Sequence, residues 1–163
     1  MKPAKFTKIV LLTLTVLACA GVSRAADTGK MNLVVDCRCP DTVGQEFCAE
    51  FKNKVTASPG YRIASDTSGY GIGVHFSCVD LWQGIDAQMV GKMSAVSVTF
   101  TVYAQRLPGE VYEDSEVFRV GKDATSEMSE KVVGAIGQII STNATVFEHI
   151  RQAAHQPSPS PSP

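Results

Sequence analysis

Cys37, Cys39, Cys48 and Cys78 are the residues whose type and spacing most invite chemistry. Zinc sites draw on cysteines in paired C-x-x-C spacing, which Cys37-x-Cys39 with Cys48 and Cys78 does not offer. A redox-catalytic pair needs C-x-x-C at a helix N-terminus, where the thiol pKa is lowered. C-x-C at a strand end followed by Pro40 is a poor substitute. With Cys19 set aside in the N-terminal leader, the four that remain in an exported chain read instead as up to two disulfides, with three possible connectivities. A bridge from Cys37 to Cys39 is disfavoured, because i and i+2 on a strand sit near the ~7 Å limit for Cα separation. Cys48 falls one helical turn above the loop leaving Cys39, and Cys37 and Cys78 point inward from strands. The expected bridges are therefore Cys39–Cys48 and Cys37–Cys78.

The remaining chemistry-bearing groups are weaker. A hydrolase would need His75, His149 or His155 beside a carboxylate and a hydroxyl, but no nucleophile elbow singles out a serine. Gly69-x-Gly71-x-Gly73 runs into a strand and not into a helix N-terminus, so it marks a hairpin start or a bulge and no phosphate cradle. No residue set predicts a metal or a cofactor. The segment Asp80 to Met93 (DLWQGIDAQMVGKM) links two strands and carries Trp82, the chain's one tryptophan, with Met89 and Met93. Such a loop either serves recognition or folds back to cap the core. Asn143-Ala144-Thr145 matches the glycosylation sequon, but inside a helix.

The first 25 residues set the compartment in which these groups would work. Lys2, Lys5 and Lys8 precede an apolar run from Ile9 to Ala18, and small residues follow. That order predicts an export signal, too short to span a bilayer. Ser23-Arg24-Ala25 suits a cut that leaves residues 1–25 as a signal peptide; Ala18-Cys19-Ala20 offers an earlier one. Val16-Leu17-Ala18-Cys19 resembles a bacterial lipoprotein box, which makes Cys19 a candidate for lipidation. The predicted location is the periplasm or the medium, with a membrane anchor in the lipidated case alone. Loss of residues 1–25 leaves 138 residues and lowers the basic count from 15 to 11 against 16 acids. The resulting charge of −5 argues against nucleic acid, which needs clustered Lys and Arg.

Periodicity supplies the elements. Leu33, Val35, Cys37 and Cys39 alternate with Val34, Asp36 and Arg38, which predicts a strand with one buried face. Asp41 or Thr42 then caps a helix, Thr42-x-x-Gln45 fitting a capping box, with Val43, Phe47, Cys48, Phe51 and Val55 on one side. A right-handed crossover leads to a parallel strand at Tyr61 to Ala64. Strands follow at 70–79, 94–105 and 111–120, the last an edge strand whose Glu110, Glu113, Asp114 and Glu116 keep it from aggregating. Asp123 caps a long helix to Ala154. Residues 156–163 (QPSPSPSP) predict a disordered tail. The expected fold of residues 26–155 is one α+β domain, a two-layer sandwich. Its sheet is mostly antiparallel, in the order β-α-β-β-β-β-α, with both helices on one face. The other face then offers His75, Ser77, Ser97, Thr99, Thr101 and Tyr103 to a partner.

The run VDCRCPDTVGQEFCAEFKNKV, the Tyr61-Arg62-Ile63 strand and SAVSVTFTVY resemble small bacterial envelope proteins. Over residues 31–152 the layout is similar to the N-terminal domain of the periplasmic translocation protein TolB. That resemblance implies a part that works through protein contacts and has no catalytic role. The expected function is an exported, non-catalytic binding or accessory module of the bacterial cell envelope. It would act through Trp82, Met89 and Met93 or through His75, Thr99, Thr101 and Tyr103. A small hydrolase and a purely structural surface protein are the alternatives.

Overall fold

The computed structural model describes residues 29–67, 69–104 and 109–155, with side chains through residue 152. The expected signal peptide with Cys19, and the expected Pro/Ser tail, lie outside the described residues. The chain runs β1 (Met31–Arg38), α1 (Thr42–Ala57), β2 (Tyr61–Ala64), β3 (Tyr70–Asp80), β4 (Met93–Ala104), β5 (Val111–Gly121), α2 (Thr125–Thr142) and α3 (Ala144–His155). It is the expected two-layer α+β sandwich.

The sheet order is β2-β1-β3-β4-β5. β1 is parallel to both β2 and β3, and β3-β4-β5 form an antiparallel meander. The sheet is thus mixed, with the longer ladders antiparallel as the sequence predicts. The first crossover was legible from the helix between β1 and β2; that β3 returns to the far side of β1 was not, because no local pattern specifies it.

Alternation decides which side is dry. Leu33, Ile72, Val74, Phe76, Cys78, Val96, Val98, Phe100, Val102 and Val120 form one buried core with Val43, Phe47, Cys48, Phe51 and Val55 of α1 and Val132 and Ile136 of α2. Phe76 is clasped edge-on by Phe47 at 5.3 Å and Phe51 at 4.9 Å, a geometry that aligns ring edges with ring faces. Ser129, fully buried, lies 2.7 Å from its own-turn carbonyl on Thr125 and 3.2 Å from the carbonyl of Phe47. One hydroxyl thereby ties α2 to α1. Gly44 lets α1 come close, since a β-carbon there would sit 2.6 Å from Cys78 Cβ.

The helix ends follow expectation at Asp41 and depart from it elsewhere. Asp41 caps α1 by accepting from Gly44 N at 2.8 Å, while Gln45 reaches back only to Pro40 O at 3.5 Å, so no capping box closes. Asp123 caps nothing: it lies in a short 3-10 turn, and α2 begins at Thr125 without a side-chain cap. The single long helix is broken at Asn143. Its side-chain amide donates to Ile139 O at 3.1 Å, the carbonyl that its own backbone N–H also takes at 3.1 Å, and its backbone leaves the helical region at φ −106° and ψ 24°. The break lets Phe147 pack against Tyr70, ring centroids 6.2 Å apart. Among the described residues, no helix is long and apolar enough to cross a membrane.

Candidate functional site

Both disulfides form, with the connectivity reversed from expectation: Cys37–Cys48 and Cys39–Cys78, Cα separations 6.5 and 4.5 Å. The reason is register. The parallel ladder sets Cys37 beside Phe76 and Arg38 beside Ser77, so the next step places Cys39 beside Cys78. Cys37 points inward, where Cys48 descends from α1. Two bridges in a small domain fit an oxidising, extracytoplasmic compartment. A shallow depression of about 240 Å³ lies over them, lined by Cys37, Cys39, Gln45, Cys48, Ala49 and Lys52.

On the polar face, His75 Nε2 lies 2.6 Å from Glu110 Oε2 and 3.3 Å from Thr101 Oγ1. The Thr101 hydroxyl donates to the same Glu110 oxygen at 2.7 Å. The three groups sought for a hydrolase are therefore within reach of one another, but their order is wrong for nucleophile activation. A serine-type relay puts the hydroxyl on one imidazole nitrogen and the carboxylate on the other. Here Glu110 stands on the nitrogen that faces the hydroxyl, and also accepts the hydroxyl's hydrogen bond. The opposite nitrogen faces Asp36 at 3.9 Å, beyond hydrogen-bond length. The cluster ties the start of β5 to β3 and β4. His149 is exposed on α3, and the side chain of His155 lies outside the described residues.

Gly71 and Gly73 explain the rest of this face. Both sit inside β3, opposite Tyr103 and Thr101 of β4. No bulge occurs at them; the irregularity falls in the β4–β5 ladder between Phe100 and Thr101. A β-carbon on Gly71 would lie 2.5 Å from the Tyr103 hydroxyl, and one on Gly73 would strike Thr101 Oγ1. The glycines make room for these side chains to lie flat on the sheet. Tyr103 is 2% exposed as a result. Its hydroxyl has no hydrogen-bond partner among the described residues. Burial pushes its pKa up to about 12, with Asp66 and Glu110 adding to the rise and Arg62 opposing it. Thr101 and Tyr103 are thus buried, while His75 and Thr99 are half-buried.

The β3–β4 connection is different in kind. Asp80, itself 7% exposed, accepts from Trp82 N at 2.8 Å with one oxygen and from Gly91 N with the other. Leu81 N donates to Met93 O, and Lys122 N to Lys92 O, both at 3.1 Å. Gly84 and Gly91 turn the chain at φ 77°, where a side chain would be strained. The backbone of 81–92 is therefore fastened at both ends by a single carboxylate. Its side chains are not put away: Ile85 is 75% exposed, and Met89, Val90 and the neighbouring Val79 are exposed too. Trp82 and Met93 are half-buried. Trp82 is not among the side chains packed on the core, and its indole N–H is buried without a hydrogen-bond partner among the described residues. Sequence reasoning missed Asp80 and Glu110. An aspartate two residues before Trp82 does carry the Asx-turn signal; nothing local joins Glu110 to His75.

Comparison with protein families and with curated proteins gives no match. Among solved structures, a minor lipoprotein from Acinetobacter baumannii is similar over 79% of this chain and 97% of that chain, at 15% sequence identity and a TM-score of 0.31.

Proposed function

We propose that this chain is an exported, non-catalytic binding module of the bacterial cell envelope, acting through protein contacts made by the β3–β4 loop. The observation that carries this reading is the loop's combination of a fastened backbone with exposed apolar side chains. A loop fixed before binding gives up little conformational entropy on contact, which leaves more of its apolar burial as affinity. Protein recognition uses such residues, methionine and tryptophan among them. The two disulfides support an oxidising compartment. The likeness read from the sequence to a domain that makes protein contacts points the same way.

The test is site-specific photocrosslinking in cells, with the probe at Ile85 or, as control, at Val146 on α3, which is also exposed. We expect a discrete protein adduct from position 85 alone, lost on Met89→Glu. Equal adducts from both positions, or an adduct indifferent to Met89→Glu, would sink the loop as the contact surface.

A further inference from the structure

We propose that the free edge of β5 accepts an extended, basic segment of a partner protein as a sixth strand, with a lysine or arginine side chain seated between β5 and α2. This surface is separate from the β3–β4 loop and does not depend on it.

β5 spans 11 residues and, among the described residues, pairs with β4 alone, so its other edge presents a row of N–H and C=O groups to an added strand. The strand's acids and its β-bulge discourage unselected pairing, so a partner strand must complement them. The strand (VYEDSEVFRVG) contains no proline and no lysine, and it exposes Val111, Tyr112 and Val117, the last at 77%. An added strand would find both backbone partners and apolar neighbours for its alternate side chains.

Charge selects the occupant. Asp114 and Glu116 pair in register with Phe100 and Val98, whose side chains face the helices. The two carboxylates therefore lie on the helix side of the sheet, where a core strand would carry apolar residues. Glu113 is the extra residue of the β-bulge and joins them. Together they wall a cleft of about 260 Å³ closed by Ala135, Gln138, Ile139, Thr142 and Asn143. Ala135 and Ile139 offer apolar surface to an alkyl stem, and the carboxylates face the charged head, the arrangement in which lysine and arginine bury their chains. The last turn of α2 carries no basic residue, so the helix's negative end adds to the same field. Among the described residues, none of the three carboxylates has an ion-pair partner. A second copy of β5 is a poor occupant, because antiparallel self-pairing would set acids near acids.

The experiment uses fluorescein-labelled peptides of about eight residues: alternating valine and lysine, alternating valine and glutamate, and a valine/lysine scramble with its lysines adjacent. Anisotropy is read with the disulfide-bonded chain at physiological salt. We expect saturable binding of the alternating lysine peptide alone. It should weaken at least tenfold in Asp114→Lys/Glu116→Lys, whose two side chains are exposed, and be unchanged in Ile85→Asp. Prolines placed singly at 115–118 sort the backbone groups, since alternate residues direct N–H toward β4 and outward. Those that keep the native circular dichroism must abolish binding. Equal binding of the scrambled or glutamate peptide, no binding at all, or indifference to the folded proline variants would overturn the proposal. So would a β5-dependent dimer in sedimentation.

Discussion

Removal of the Asp80 carboxylate should release the β3–β4 loop while leaving the sheet intact. The side chain is buried at the end of β3 and accepts backbone N–H groups from both arms of the loop, at Trp82 and Gly91. Hydrogen bonds to a charged group contribute about 1.5–3 kcal/mol each. Two of them set a ceiling near 6 kcal/mol, but an opened loop lets both N–H groups reach water, which returns part of that. We expect Asp80→Ala to destabilise the loop by about 2–4 kcal/mol. Amide exchange at Trp82 and Gly91 should then quicken by roughly 30- to 1000-fold. Asp80→Asn keeps one acceptor and turns a donor toward the other N–H, so one amide should lose protection and the other keep it. The assay is native-state hydrogen exchange by NMR on the disulfide-bonded protein, with Val96 and Val98 amides as the internal standard. Unchanged exchange at Trp82 and Gly91 in Asp80→Ala would refute the claim that one carboxylate fastens the loop. A uniform rise that includes the β4 amides would show that Asp80 supports the whole fold instead.

Three further outcomes are expected. Peptide mapping without reduction should join Cys37 to Cys48 and Cys39 to Cys78. Loop entropy at sequence separations of 11 and 39 gives about 3 and about 4 kcal/mol, so Cys39→Ser/Cys78→Ser should lose more stability in urea than Cys37→Ser/Cys48→Ser; the reverse order would count against it. At alkaline pH, burial holds Tyr70 and Tyr103 at about 12, against 10.0 for an exposed phenol. The folded state keeps a proton that the unfolded chain gives up, so this stability is intact below pH 10 and lost as pH rises toward 12. Urea midpoints at about pH 9 and about pH 11 should fall in that order, and equal midpoints would contradict the burial of these hydroxyls.

Much of the architecture was legible because its signals are local. Val96, Val98, Phe100 and Val102 alternate, and the strand they predict at 94–105 is β4, Met93–Ala104, with all four facing the helices. The spacing of Val43, Phe47, Phe51 and Val55 fixes the buried side of α1 in the same way. Helix boundaries were less legible. Where α2 starts, and where one long helix gives way to two, is set by tertiary packing such as that of Phe147 on Tyr70, which overrides local propensity.

By itself, then, the sequence determined the strands, the faces of the helices, the side of the sheet that packs on them and the presence of paired cysteines. Period-two and period-3.6 patterns are properties of neighbouring residues, readable without knowing what lies across the sheet. Only the tertiary structure decided that Cys39 meets Cys78 and that Gly71 makes room for Tyr103. It alone placed Glu110 on His75, and it turned Asp114 and Glu116 into a cleft against α2. Each of these depends on register between strands remote in sequence, where a shift of one residue would turn every side chain to the other face.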